Sequence, residues 1–196
     1  TGAVAHVTNA FDVNGSNVTE KTSVIEVISQ DGTVTNTYKI IFEVLPSLDL
    51  FLCIGQSNMA GAASLDGTKG DFDPVDKAFL LNADNRFEVA RNGMNRYANV
   101  LTSTSQYYGL TYEFAKKITT QTNKQIGLVV NARGGSSIEL WDKAGTDAGD
   151  TLYAKTLQRA IEAQKWGRYK AVLWHQGEAN RTTVSAYPNQ LIQLVS

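Results

Sequence analysis

Three short stretches carry residue types suited to acyl-transfer chemistry: Gly55-Gln56-Ser57-Asn58-Met59, Gly134-Gly135-Ser136-Ser137-Ile138 and His175-Gln176-Gly177-Glu178. The first follows the apolar run Phe51-Leu52-Cys53-Ile54. A serine lifted off the carboxyl end of a buried strand by a tight turn is placed as a nucleophile must be. Standing alone, a serine after glycine reads equally well as a turn residue. Met59 occupies the position where the G-x-S-x-G elbow of the α/β-hydrolases needs glycine, which sets this chain apart from them.

The other two stretches each have two readings. Gly134-Gly135 is either a plain tight turn or a place where bare backbone approaches a ligand and aims an N–H at a developing oxyanion. The G-K-[ST] ending of a phosphate-binding loop is missing. Gln176 at a strand end is either a structural tie, since a buried amide must be paired, or an oxyanion donor. Glu178 is either a triad-type acid that orients a base or an acid favoured at a helix start.

The base is the weak point. The chain holds two histidines, His6 and His175. His6 lies in a β-rich segment remote in sequence from the serine. His175 adjoins Gln176, and strand alternation sends neighbouring side chains to opposite faces, so His175 is expected to be packed rather than catalytic. A serine hydroxyl without a base is a poor nucleophile. Cys53 is the single cysteine and reads as a small core residue, which leaves no intrachain disulfide and no thiolate metal cluster.

The elements that must position these residues follow from pattern. A chain of 196 residues, 42% apolar with 16 glycines and 3 prolines, suits one ordinary domain or one with a small companion. Lys plus Arg total 18 against 19 acids, so there is no electrostatic footprint for nucleic acid or an anionic membrane. No apolar run approaches the ~18 residues of a membrane span.

Residues 1–46 are rich in Val, Thr, Ile and Asn, and Pro46 marks their end. Residues 23–29 and 34–44 read as strands around the turn Gln30-Asp31-Gly32-Thr33, with Tyr38, Ile40, Phe42 and Val44 on a half-buried face. This hairpin resembles the closing strands of a bacterial cadherin-like or immunoglobulin-like β-sandwich, and fewer than 50 residues are too few for a complete one. The chain opens at Thr1 directly in strand-like sequence, as a piece cut from a longer protein would.

Over residues 47–196 the pattern alternates strand and helix. Strands are expected at residues 48–54, 126–131 and 171–174, with short irregular ones at 78–81 and 87–90. Helices are expected at 109–122, 152–166 and 185–196, and residues 66–74 read as a surface loop. In the 152–166 helix the packed side is expected to be Tyr153, Leu157, Ala160, Ile161 and Gln164. Such alternation implies a parallel sheet with right-handed crossovers, whose ligands sit outside the carboxyl ends of the strands. Ser57, Gly134-Gly135 and His175–Glu178 all follow such ends.

Taken together, in this order and followed by Trp141, the three motifs resemble those of the SGNH-type carbohydrate esterases, nearest to the sialate O-acetylesterases and acetylxylan esterases of the family 6 kind. The resemblance implies a three-layer α/β/α fold over residues 47–196 and removal of O-acetyl groups from sugars such as sialic acid or xylan. It implies Ser57 as nucleophile and Glu178 as triad acid. The oxyanion donors would be the N–H groups of Ser57 and of Gly134 or Gly135, with the Gln176 amide. Gln56, Asn58, Trp141 and His175 would face the substrate, Trp141 either stacking on a sugar or sitting in the core.

The family's base is a histidine in a C-terminal Asp-x-x-His, and no histidine follows residue 178. The expectation is therefore a C-terminally incomplete esterase acting on acetylated carbohydrate, secreted or periplasmic, without metal or organic cofactor. No nucleic-acid or membrane partner is expected, and oligomeric state is left open. The competing reading is a non-catalytic carbohydrate-binding module, or an inactive fragment that lacks the base.

Overall fold

A computed structural model describes residues 2–12, 19–44, 47–65, 72–100, 107–143 and 151–196. The chain divides into two compact units, Thr1–Pro46 and Ser47–Ser196.

In the first unit, β1 (Val4–Asp12), β2 (Thr19–Ile28) and β3 (Thr35–Val44) form an antiparallel sheet in sequence order. The β2–β3 hairpin pairs Ile28 with Thr35 and closes over the Asp-Gly turn. Asp31 organises that turn: one carboxylate oxygen accepts from the Thr33 N–H at 3.1 Å, the Thr33 hydroxyl at 2.8 Å and the Ser29 hydroxyl at 2.5 Å. The half-buried face expected of β3 is not found among its described side chains. Tyr38, Ile40 and Ile41 are all exposed, although they point to alternate faces. Alternation determines direction, whereas burial needs a second layer.

The second unit is a mixed α/β fold consistent with an SGNH-like hydrolase. Its five strands are β4 (Leu48–Gly55), β5 (Ala78–Leu81), β6 (Phe87–Val89), β7 (Ile126–Ala132) and β8 (Gly167–His175). They lie in the order β6-β5-β7-β4-β8, parallel except for the β5–β6 pair. A short helix, α1 (Ser57–Ala60), follows β4, and α2 (Leu110–Thr122), α3 (Leu152–Ala163) and α4 (Tyr187–Val195) complete the unit.

The apolar runs of β4 and β7 are continuous because both faces of these strands are covered. Phe51, Cys53, Leu128 and Val130 pack with Tyr112 and Ala115 of α2. Leu48, Leu50 and Val129 face Ala163 of α3 on the other side. Burial pushes the Cys53 thiol up to about 12, as expected of an inert core cysteine.

Three expectations are corrected here. The 171–174 strand extends from Gly167 to His175 and lies at the edge of the sheet, so its residues are only partly buried. The 152–166 helix ends at Ala163 and continues as a 3-10 turn over Gln164–Trp166. Its buried side is Leu152, Thr156, Arg159, Ala160 and Ala163, while Leu157 and Ile161 are exposed. Polar Thr156 and Arg159 are buried because each finds a partner: Asn131 Nδ2 donates to the Thr156 hydroxyl, and Arg159 donates to the Leu81 and Asn82 carbonyls. The expected 66–74 loop lies mostly outside the described residues.

Parallel register sets the level at which the strands stop. Gly55 pairs with Ala132 of β7 on one side and with His175 of β8 on the other. All three therefore end together. Gly55 has φ +142°, and a Cβ there would sit 2.1 Å from the His175 carbonyl oxygen. Gly55→Ala is expected to lower stability by about 3 kcal/mol or more through strain and collision, read as a fall in the urea midpoint.

The hydroxyl and N–H donors around Asp31 hold its carboxyl down at about 2, from 3.8. Its contribution to the turn is thus complete above pH 3.8 and lost as the pH falls through about 2. The Thr33 amide should be protected from exchange at pH 5 and lose that protection near pH 2. In Asp31→Ala it should be unprotected at both.

Candidate active site

Where β4, β7 and β8 stop together, their three turns meet. After Gly55, Gln56 turns inward and is 4% exposed, with its N–H bonded to the His175 carbonyl at 2.9 Å. Ser57 then starts α1. The turn after β7 comes alongside: the Arg133 N–H bonds to the Gly55 carbonyl at 3.0 Å, and a Cβ built on Gly134 would lie 3.9 Å from Ser57 Cβ. Gly134 and Gly135 are exposed. Among the described residues, the N–H groups of Ser57, Gly134 and Gly135 have no hydrogen-bond acceptor.

The turn after β8 joins from the other side. Glu178 Oε1 accepts from Asn58 Nδ2 and lies 3.6 Å from His175 Nε2. The side chains of His175 and Glu178 are 46% and 43% exposed, so His175 is not packed, contrary to expectation. The reason is that β8 is an edge strand, where a residue pointing away from Gln176 meets solvent and the carboxylate three residues on. Among the described residues, Ser57 Oγ makes no hydrogen bond with a base. His6 belongs to the other unit.

Buried amides tie these turns together. Gln56 Oε1 accepts from Gln176 Nε2 (3.2 Å), the Gly177 N–H (3.3 Å) and the Ala179 N–H (3.2 Å). Gln176 Nε2 also lies 3.0 Å from the Ser136 carbonyl and 2.8 Å from Asn180 Oδ1. Gln56 is therefore a buried clamp on the 176–179 turn, with its Oε1 taken up by that turn. The donors of Gln176 are likewise turned inward.

Trp141 is 1% exposed, donates from Nε1 to the Ser136 hydroxyl at 3.1 Å and meets Trp174 edge to face at 5.4 Å. It is a core residue that braces the glycine turn, so no ring face is open for a sugar. Asn58 remains at the surface beside Ser57.

Sequence reasoning passed over the asparagines. Asn95 brackets Ala132, donating to its carbonyl and accepting from its N–H at 2.9 Å each. Asn131 is fully buried and accepts from the Asn99 N–H at 3.0 Å. These bonds fasten residues 95–99 to the end of β7. The available signal was the density of asparagine at 92, 95 and 99 in a stretch without strand or helix period. Asn180 and Glu139 were also missed. Glu139 is held down at about 2 by bonds from the Ser137 hydroxyl first and the Asn180 amide second. Among the described residues no group of His, Cys, Asp and Glu is arranged to hold a metal ion.

Comparison with known proteins agrees with this architecture. Residues 47–196 match the family model described as carbohydrate esterase, sialic acid-specific acetylesterase, and the chain belongs to that family. A probable carbohydrate esterase of Arabidopsis thaliana is 29% identical over 168 residues, which is 77% of this chain and 63% of the relative's length. An X-ray structure of an Arabidopsis thaliana protein superposes with a TM-score of 0.65 at 27% identity, over 76% of this chain and 67% of that one. A carbohydrate acetylesterase from Xanthomonas citri shares the fold, with a TM-score of 0.52 at 23% identity over 88% of this chain and 41% of its own.

The clamp is testable without catalysis. Gln56→Ala strips the partly buried Gly177 and Ala179 N–H groups of their acceptor, which costs about 1 kcal/mol. Urea unfolding should show a lower midpoint with an unchanged slope.

Proposed function

We propose that residues 47–196 form the nucleophile-bearing part of a serine O-acetylesterase that acts on acetylated carbohydrate, such as an acetylated sialic acid or xylan. The observation that carries this reading is the meeting of Ser57, whose hydroxyl has no hydrogen-bond partner among the described residues, with Gly134 on one flank and the Asn58–Glu178 pair on the other. The family match and the names of the relatives support the substrate class.

In this reading Ser57 Oγ attacks the acetyl carbonyl carbon as its proton passes to a base. The tetrahedral oxyanion is met by the N–H of Ser57 and by that of Gly134 or Gly135, whose hydrogens have no competing acceptor among the described residues. Collapse expels the sugar hydroxyl, which takes the proton from the base. Water then attacks the acetyl-serine and acetate leaves. Gln176 supports the hole rather than filling it, because its N–H groups are directed to Gln56, Ser136 and Asn180.

Glu178 is assigned as the acid that orients the base, itself oriented by Asn58. The base in this reading is the histidine of the Asp-x-x-His motif of the esterases the sequence resembles, a motif that residues 1–196 do not contain. His175 contacts Glu178 and makes no hydrogen bond with Ser57. A carbohydrate ester substrate also favours a secreted or periplasmic setting.

Acetate release from an aryl acetate and from acetylated xylan tests the reading. A chain carrying an Asp-x-x-His segment should be far faster than residues 1–196, and in that chain Ser57→Ala should reduce release at least about 10³-fold. Release that survives Ser57→Ala removes the serine from its role. An extended chain that binds acetylated xylan without releasing acetate is a binding module instead.

A further inference from the structure

Asn180 stands at the junction of the glycine turn and the Gln176 turn and is 3% exposed. It lies in the 3-10 turn Glu178–Asn180, whose fold is closed by the Asn180 N–H bonding to the Gly177 carbonyl at 2.9 Å. Its side chain uses both ends. Oδ1 accepts from Gln176 Nε2 at 2.8 Å and from the Ile138 N–H at 2.9 Å. Nδ2 donates to both carboxylate oxygens of Glu139, at 3.1 and 3.0 Å, and to the Thr183 hydroxyl at 3.2 Å. Glu139 is exposed and further held by Gln190 Nε2 at 3.1 Å and by the Ser137 hydroxyl.

These bonds have a definite polarity. An acceptor at Oδ1 is required twice, by a backbone N–H and by an amide. A donor at Nδ2 is required by a carboxylate. Only an amide supplies both, and its orientation is determined by the Glu139 charge. Flipping it would put Oδ1 against the carboxylate and Nδ2 against two donors. The consequence reaches the glycines, because Ser136, which Gln176 holds, directly follows Gly134-Gly135, and Ile138, which Asn180 holds, comes two residues later. Two exposed glycines carry no side chains of their own to set the direction of their N–H groups, so that direction depends on what anchors the residues after them.

We propose that the Asn180–Glu139 pair is the positioning device of the oxyanion hole. By fastening Ile138 and Gln176, it holds the Gly134 and Gly135 N–H groups toward Ser57. Asn180 touches no reacting atom and acts through the turn. This inference rests on the reading of Ser57 and the glycine turn given above.

The test exchanges donor and acceptor. Asn180→Asp sets a second carboxylate against Glu139 and removes the donor. Glu139→Gln combined with Asn180→Asp reverses the polarity of the link and restores it. In Asn180→Asp, the 15N order parameters of Gly134 and Gly135 should fall from about 0.85 toward about 0.6. The kcat for an aryl acetate should drop at least tenfold, with KM changed less than twofold. The double variant should return both readouts to within threefold of the parent.

Rigid glycines and an unchanged kcat in Asn180→Asp overturn the proposal, as does a double variant no better than the single one. Should Asn180→Asp fail to fold, Glu139→Ala, at an exposed position, takes its place. It should mobilise the same two glycines, and unaltered order parameters there overturn the proposal equally. The relaxation readout needs no turnover. Acetate release that survives Ser57→Ala therefore counts against the esterase reading, while the order parameters still decide this one.

Discussion

The constraint on which the second unit depends is the contact of β4 with the strands on either side of it at Gly55. A parallel sheet can bring loops to one edge only if its strands stop at the same level. Here Ala132, Gly55 and His175 lie side by side across three strands. The His175 carbonyl occupies the space that any side chain at position 55 would need. This close approach lets the chain turn inward at Gln56 and outward again at Ser57, two residues past the last strand pair. A β4 displaced from β8 by the width of one methyl group would carry the serine away from Gly134 and Glu178 alike.

Above that contact the site is held by amides rather than by packing. Gln56, Gln176 and Asn180 form a connected set in which the Gln56 and Asn180 carboxamide oxygens accept from backbone N–H groups and from Gln176 Nε2. Partial burial makes each bond obligatory, since a buried polar group without a partner costs more than the bond contributes in water. It also gives the turns a preferred orientation that apolar contacts, being non-directional, would not supply. Directional bonds suit a site whose proposed chemistry depends on where two or three N–H groups point.

The strand-turn-helix order of residues 47–196 was legible because apolar runs covered on both faces leave an unbroken signature, as in Leu48–Gly55 and Ile126–Ala132. The three chemical turns were legible because glycine, serine and histidine are unusual directly after such runs. Side-chain destinations were not. Gln56 read as facing a substrate, yet it is buried, and Trp141, which read either as a sugar platform or as a core residue, is in the core. His175 read as packed, yet it stands in solvent beside Glu178. In each case the deciding fact was the neighbour across the sheet or across a turn, which lies 33 residues away for Trp141 and 120 for Gln56, or depends on which strand is at the edge.

The sequence by itself determined the class of fold, the boundary at Pro46 between a β segment and an α/β unit, and the candidate nucleophile. These follow from local pattern: period, apolar continuity and turn chemistry. Only the tertiary structure decided that the glycine turn lies against Ser57, that Gln176 faces inward, and that Asn180 and Glu139 link the turns. Hydrogen-bond polarity is a property of pairs, and the partners of Asn180 are separated from it by up to 42 residues of chain. An amide's identity in the sequence does not reveal which of its two ends will meet a donor. The fold makes that choice when it brings a carboxylate to one end and a backbone N–H to the other.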